Sequence, residues 1–240
     1  MPDREERFTA LIDAVKAGRP DPLVLDLGCG PGSLAVRLLD QIPGATVVGI
    51  DADPVLLALA RAAWADRPAL RFAELDLRVG GWAGALGLDR PADAAVSSTA
   101  LHWLAPEALA AMYAELATVL RPGGLMLDGD HLAEDEATAP TLARLGQALT
   151  EREQRRHPPV AESWTGWWEA VRADPALAGL AVRRDRLGLD SEHHGSPSGL
   201  LAVHVDALRN AGFAEVGTLW QRGNDRVLCA VRGAAYGVRK

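Results

Sequence analysis

Short apolar runs alternate with longer segments of helical periodicity over the first two thirds of the chain. Continuous apolar runs bounded by glycine or aspartate are typical of parallel strands that are covered by helices on both faces. Five such runs predict five strands, at residues 22–28, 45–53, 70–76, 92–97 and 125–130.

Helical patterns separate these strands. Apolar residues recur at helical spacing over 33–41 and 55–64, and the segment 106–120 has proline in its first turn and the stop signal RPGG after it. Strands joined by helices predict a parallel sheet with right-handed crossovers. Ligands of such sheets bind beyond the carboxyl ends of the strands, so one crevice is expected there. The last apolar residues before it are Leu27, Ile50, Leu75, Val96 and Leu127.

The alternation lapses over residues 132–196, where 141–156 has a helical pattern and 163–171 predicts a short tryptophan-rich helix. Because this insertion follows the fifth strand, we expect it to lie over the crevice as a lid. The regular pattern then returns with a helix at 198–211 and two strands across a Gly-Asn turn. The sequence therefore predicts one domain over 1–240, with an inserted helical lid at 132–196.

Composition narrows the class of partner. The chain has 240 residues, a formal net charge of −7 and a sequence pI near 5.4. Nucleic-acid binders normally carry a basic field, so this balance favours a small-molecule partner. Two cysteines, Cys29 and Cys229, are too few for a disulfide framework. The first 18 residues have no apolar stretch of signal-peptide length, and no segment of the sequence reaches the apolar length of a membrane span. We expect a soluble protein of the reducing cytoplasm.

The most specific motif is LDLGCGPG, residues 25–32, between the first strand and the first helix that follows it. Glycines at 28, 30 and 32 permit positive φ angles and let a ligand approach the backbone. The spacing G-x-G-x-G differs from the dinucleotide fingerprint G-x-G-x-x-G. Asp26 before the loop repels a pyrophosphate and attracts an ammonium group, and Cys29 is interpreted as a small side chain that fits the loop.

Two further acids end the next strands. Asp51 stands where a carboxylate accepts hydrogen bonds from both ribose hydroxyls, and Asp76 is placed to meet an adenine amino group. Ala52 and Leu77 are candidates to pack on the adenine ring. Ammonium, ribose and adenine in this order describe S-adenosylmethionine.

The chain resembles the class I S-adenosylmethionine-dependent methyltransferases in an ordered set of motifs. They are VLDLGCGPG, VVGIDADP, FAELDL, SSTALHWL and LRPGGLMLDGD, with the AGFAEV-to-LCAVR ending. The resemblance implies a Rossmann-like, doubly wound α/β fold with seven strands, mostly parallel, whose last strand is antiparallel. It also implies cofactor contacts at Asp26, Gly28, Cys29, Gly30, Gly32, Asp51, Ala52, Asp76 and Leu77. Ser97, Ser98 and His102 occupy the segment that lies beside the methionine portion in similar enzymes.

Candidates for the remaining chemistry are two histidines and four tryptophans. A methyl acceptor needs a general base only where it carries a proton. His102 is the first candidate for this base, and a spacer role beside Trp103 is its alternative. His131 is the second candidate. Trp164, Trp167 and Trp168 share one helical face, so they either pack the lid onto the body or, with Trp103, line an apolar acceptor pocket. His193, His194 and His204 lack the companions of a recognisable metal site, and we expect no metal.

The sequence therefore predicts a methyltransferase that acts on a small molecule, similar to the trans-aconitate and ubiquinone-biosynthesis enzymes. The segment after the fourth strand has no base-handling motif such as N/D-P-P-Y. Nothing selects oxygen over nitrogen or carbon as the acceptor atom. Two alternatives stay open: a non-catalytic protein that binds the same cofactor, and an NAD-dependent oxidoreductase.

Overall fold

Seven strands form one sheet in the order β3-β2-β1-β4-β5-β7-β6 in the computed structural model, which describes residues 4–156, 164–189 and 197–233. The first six strands run parallel, and β7 is antiparallel between β5 and β6. This topology confirms the predicted fold. The strands are β1 (Leu23–Leu27), β2 (Thr46–Asp51), β3 (Leu70–Glu74), β4 (Ala92–Ser98), β5 (Leu120–His131), β6 (Phe213–Arg222) and β7 (Asp225–Arg232).

Helices cover both faces of this sheet. They are α1 (Arg4–Lys16), α2 (Ser33–Gln41), α3 (Pro54–Ala63), α4 (Trp82–Ala85), α5 (Pro106–Val119), α6 (Pro140–Arg156), α7 (Trp164–Ala173), α8 (Ala178–Arg186) and α9 (Leu201–Asn210). One apolar cluster joins α1 and α2 to the sheet, and a second joins α4, α5 and α9 to it. Side chains of the central strands therefore alternate between two cores, one on each face of the sheet.

The register of β1 places the site. Leu27, its last residue, pairs with Ile50 of β2 and with Ser97 of β4. Since β1 leads to β2 on one side and β4 lies on its other side, the strand order switches between β1 and β4. The loops that follow these strands meet at one edge, which is the crevice expected for a ligand.

The fifth strand differs from the prediction at its start. It begins at Leu120, which pairs with Ala92, and the regular pairing resumes at Leu125 opposite Ala94 after a register shift. The RPGG segment thus forms an irregularity within the strand instead of a separate loop.

The insertion after β5 docks at two separate places. Helix α6 lies against the β6–β7 turn, where the Asn224 N–H donates to Thr150 Oγ1 at 3.1 Å. Helices α7 and α8 lie against each other and against α3. Among residues 4–156, 164–189 and 197–233, no helix combines the length and apolar character that crossing a bilayer requires.

Candidate active site

The glycine loop between β1 and α2 has the left-handed backbone that its sequence predicts. Gly28, Gly30 and Gly32 have φ angles of 67°, 52° and 81°. A Cβ atom on Gly28 would lie 2.4 Å from the Cβ of Ala100, so the two chain segments approach without room for a side chain. Glycine is required here for both backbone angle and space.

Replacing Gly28 with alanine is expected to destabilise the fold by about 3 kcal/mol, from the left-handed backbone and the contact with Ala100. Gly87→Ala is the matched control, because Gly87 also has a positive φ, 57°, but nothing lies within 4 Å of the added Cβ. It should cost about 1 kcal/mol. Urea unfolding of both variants measures the difference, and equal losses would contradict the close approach.

Asp51 connects the glycine loop to the loop after β2. Its Oδ2 accepts the N–H of Gly30 at 2.7 Å, and its Oδ1 accepts the N–H of Asp53 at 2.8 Å. Burial raises the pKa of the Asp51 carboxyl group above its usual value, against the lowering effect of these hydrogen bonds. Asp51 therefore fixes the glycine loop against the loop after β2, at the edge of the sheet where the crevice is expected.

Asp26, the last but one residue of β1, is a buried acid with spare hydrogen-bonding capacity. Its side chain is 1% exposed, and within the described residues its Oδ2 atom has no hydrogen-bond partner. Burial, and then the nearby negative charge of Asp51, raise the pKa of Asp26 to about 7. Two acids in one buried region produce a negative potential that favours a cationic ligand group.

Asp76 lies after β3 and is held by an arginine that the sequence analysis did not single out. Arg78 donates from Nε to Oδ1 at 2.9 Å and from Nη2 to Oδ2 at 2.8 Å. Burial raises the pKa of Asp76, but the hydrogen bonds from Arg78 outweigh it and hold the pKa below its usual value. Leu77 is buried beside it and Ala52 is half-buried.

Cys29 is a small, buried side chain that fills space within the glycine loop, which agrees with its interpretation from the sequence. A Cβ atom on Gly49 would lie 3.0 Å from its sulfur, so the thiol fills the space beside β2. Burial and the charges of Asp26 and Asp51 raise the pKa of the Cys29 thiol, which disfavours the reactive thiolate.

The end of β4 turns sharply into the crevice. The hydroxyl of Ser97 is buried and donates to the Leu27 carbonyl at 2.9 Å, which joins β4 to β1. The Ser98 hydroxyl lies 3.3 Å from Oγ1 of Thr99, a non-glycine residue with a φ of 57°. The buried guanidinium of Arg7, from α1, donates to that Thr99 oxygen at 2.9 Å and holds the turn. The positive φ angle of Thr99 is a strained conformation for a non-glycine residue, and it persists only where surrounding contacts hold the backbone in place.

His102 follows this turn and forms a dyad with Asp130. Its Nδ1 lies 2.8 Å from Oδ2 of Asp130, a fully buried carboxylate at the end of β5. Burial raises the pKa of Asp130, but the hydrogen bond from His102 outweighs it and holds the pKa below its usual value. A carboxylate on Nδ1 assigns the proton to that nitrogen and leaves Nε2 as the acceptor. His131 contributes its backbone N–H, which donates to Oδ1 of Asp130 at 2.8 Å.

A second acid lies behind this dyad. Asp128 is 1% exposed, and burial followed by the charge of Asp130 raises its pKa well above the usual value. His204 lies 3.4 Å from it and is held between the Tyr113 hydroxyl at 2.8 Å and the Ser198 carbonyl at 2.7 Å. The pKa values of these two neighbouring acids are thus shifted in opposite directions, that of Asp128 upward and that of Asp130 downward.

The predicted tryptophans occupy two environments. Trp103 is 41% exposed, with its ring 5.1 Å from that of His102. Trp168 is buried between α7, α8 and α3, and Trp167 lies edge-on to it at 4.8 Å. The side chain of Trp164 lies outside the described residues, as do His193 and His194. Lining of an acceptor pocket by these tryptophans stays a prediction.

Comparisons with known proteins identify the family of the chain. A methyltransferase-domain family model matches residues 24–124. The chain is 34% identical over 133 residues to trans-aconitate 2-methyltransferase of Azoarcus sp. (strain BH72), an alignment covering 52% of this chain and 48% of that protein. The corresponding protein of Methylobacterium radiotolerans is 31% identical over 161 residues, 67% of this chain and 51% of that protein. The chain belongs to the class I S-adenosylmethionine-dependent methyltransferases.

Solved structures of methyltransferases share the fold. Magnesium protoporphyrin IX methyltransferase of Synechocystis PCC 6803 has a TM-score of 0.56 at 20% identity, covering 96% of this chain and 84% of that chain. An O-methyltransferase family 2 protein of Planctomyces limnophilus has a TM-score of 0.60 at 17% identity, covering 94% and 56%. The cofactor of the methyltransferase family is S-adenosylmethionine, as predicted. This family member spans about half the length of the curated relatives it matches.

Proposed function

We propose that the protein transfers the methyl group of S-adenosylmethionine to a protonated group, foremost a hydroxyl, of a small molecule. The observation that carries the cofactor assignment is the burial of the Asp26 carboxyl group beside the glycine loop. Its Oδ2 atom has no hydrogen-bond partner among the described residues. The His102–Asp130 dyad at the neighbouring strand ends supports an acceptor that must lose a proton.

The residues present fit the cofactor. Asp26 would take the ammonium group, the glycine loop the carboxylate end, and Asp51 the ribose hydroxyls. Ala52, Asp76 and Leu77 are proposed to contact the adenine. Asp76 would give up one of its hydrogen bonds from Arg78 and accept one from the adenine amino group instead. Bound S-adenosylmethionine supplies an electrophilic methyl group on a positively charged sulfur.

The chain's own contribution to the reaction is positioning and proton transfer. His102 would accept at Nε2 the proton that the acceptor hydroxyl loses on methylation. Asp130, ionised and buried, holds the imidazole in the required tautomer and stabilises the imidazolium that results. Ser98 is proposed to face the methionine portion, whereas Ser97 acts by joining β4 to β1. The insertion 132–196 is proposed to exclude water from the acceptor.

Calorimetric titration with S-adenosylmethionine, S-adenosylhomocysteine and NAD tests the cofactor. Micromolar binding of the two sulfur compounds and no binding of NAD are expected. Asp51→Ala should weaken binding of both sulfur compounds about 100-fold, because two hydrogen bonds to a charged group are lost. Asp66→Ala, which removes an exposed acid, is the control. Binding of NAD alone would overturn the proposal in favour of an oxidoreductase, and binding without turnover over a broad acceptor screen would favour a non-catalytic role.

A further inference from the structure

We propose that the α7–α8 hairpin, residues 164–186, forms a wall over the adenosine half of the cofactor site, with Arg184 as a cofactor-positioning residue. The inference rests on the proposed function, since it takes Asp51 and Asp76 as the ribose and adenine acids. It differs from a lid that covers only the acceptor.

The first support is a buried ion pair between the hairpin and the start of α3. Arg184 Nε donates to Asp53 Oδ2 at 2.6 Å, and the two residues are 7% and 6% exposed. The other oxygen of Asp53 caps α3 by accepting the N–H groups of Val55 at 2.9 Å and Leu56 at 3.2 Å. Each oxygen of Asp53 therefore has a fixed partner, and the residue joins two elements far apart in the sequence.

The pair is directly continuous with the ribose acid. The backbone N–H of Asp53 donates to Asp51, and Asp51 accepts the N–H of Gly30. Arg184, Asp53, Asp51 and Gly30 thus form an unbroken chain of hydrogen bonds from the hairpin to the glycine loop. A shift of Arg184 changes the position of Asp53, and with it one of the two N–H groups that orient Asp51.

The guanidinium is itself held firmly. It lies 3.8 Å above the ring of Trp168, and its Nη2 donates to the Leu189 carbonyl at 2.9 Å. Trp168 packs with Val55 and neighbouring apolar residues in a cluster separate from the two cores of the sheet. A planar guanidinium can stack flat on an aromatic ring while it donates from several nitrogens in a fixed fork, whereas the ammonium of lysine is a compact point charge.

A second set of contacts reaches the adenine acid. Arg183 pairs with Glu74, the last residue of β3. Arg78, which holds Asp76, also donates to the carbonyl of Leu187 at 3.0 Å, just past α8. The hairpin consequently touches both loops that the cofactor's adenosine is proposed to occupy, so docking of the hairpin and binding of adenosine should strengthen each other.

The test compares two probes, S-adenosylhomocysteine and 5′-methylthioadenosine, which share adenosine but differ in the amino-acid portion. Arg184→Met should weaken both probes by the same factor, at least tenfold, and Arg184→Lys should weaken both by less. Arg172→Met, on the exposed side of the same hairpin, is the control, with changes within twofold. Hydrogen exchange of residues 164–186 in the wild type should slow when either probe binds.

Three results would overturn the inference. One is unchanged affinity for both probes in Arg184→Met, which would make the ion pair purely structural. Another is weakening of S-adenosylhomocysteine alone, since that would place the hairpin at the methionine end. The third is hydrogen exchange in the hairpin that does not respond to the probes. If the wild type binds neither probe, the proposed function fails and this inference fails with it; the three results above leave the function standing.

Discussion

Replacing Asp26 with asparagine is expected to weaken S-adenosylhomocysteine binding about 100-fold and to stabilise the free protein at pH 8. The affinity falls because asparagine keeps the size of the side chain but removes the negative charge that pairs with the ligand ammonium group. A hydrogen bond between charged groups in a buried site contributes about 2–3 kcal/mol, which corresponds to that factor. Binding of 5′-methylthioadenosine, which lacks the ammonium, should change less than threefold.

The stability effect follows from the raised pKa of Asp26. The pKa is about 7 in the folded protein, against an ordinary value of 3.8. The folded state therefore holds the proton more tightly than the unfolded state, and the stability associated with this group is full below pH 3.8 and lost as pH rises through 7. The difference of about three pKa units corresponds to roughly 4 kcal/mol. An asparagine side chain in the same place is neutral at every pH and avoids this loss.

Thermal unfolding between pH 5 and 8.5 measures this prediction. The wild type should lose stability more steeply than Asp26→Asn as pH rises, with the variant higher in Tm by at least about 5 °C at pH 8. Asp66→Asn, an exposed acid, should follow the wild type at every pH. Parallel curves for wild type and Asp26→Asn would contradict the raised pKa of the buried carboxyl group, whereas unchanged affinity for S-adenosylhomocysteine in Asp26→Asn would contradict its role in binding.

The fold followed from local patterns to a large extent. Each of the first five strands was marked by a short apolar run, and right-handed crossovers leave few orders for strands so connected. Helix α1 was not predicted, although its buried residues Phe8, Leu11, Ile12 and Val15 have the spacing of one helical face. The helical spacing of apolar residues was present in this segment, but the charged residues between the apolar positions are also typical of an exposed chain terminus.

Some parts of the candidate site could likewise be predicted from the local sequence, whereas others depend on contacts between residues far apart in the chain. The glycine loop, Asp26 and Asp51 lie where the sequence placed them, because each is adjacent to the end of its own strand. The contacts that hold the neighbouring loops join residues far apart in the sequence: Arg184 lies 131 residues from Asp53, and Arg7 lies 92 residues from Thr99. The packing of α1 and α8 against the rest of the fold brings these pairs together, and local sequence patterns do not predict that packing. Asp130 was an intermediate case, since β4 and β5 are neighbours and their ends were expected to meet.

Removal of the His102–Asp130 dyad is expected to have the largest effect on turnover. His102→Ala should lower kcat with a hydroxyl acceptor by 100- to 10,000-fold, the usual range for loss of a general base. Asp130→Asn should lower it about 100-fold or more, because an amide oxygen holds the ring less firmly and no longer balances the imidazolium charge. Binding of S-adenosylhomocysteine should stay within threefold in both variants. Initial rates at saturating cofactor, with an acceptor found by screening, measure these effects.

Two further measurements separate a dyad from two independent residues. The double variant should be no slower than His102→Ala alone, since groups that act as a unit have non-additive effects. The Nδ1 proton of His102 should give a hydrogen-bonded imidazole NMR signal in the wild type that is lost in Asp130→Asn, and this needs no acceptor. His131→Asn tests the competing base: a comparable loss of kcat there, with His102→Ala active, would transfer the role to His131.

The pH profile then decides the class of acceptor. A general base acts only in its deprotonated form, so kcat falls at low pH where the base has taken up a proton. A carboxylate acceptor is already ionised at neutral pH and needs no base, so its methylation would be insensitive to both substitutions. Unchanged kcat in His102→Ala and Asp130→Asn would therefore refute the dyad as a base and favour an acceptor atom that has no proton to lose before methylation, such as a carboxylate oxygen. A large loss with an acid limb that disappears in His102→Ala would assign a protonated one, because only such an acceptor requires a group at this place to remove its proton.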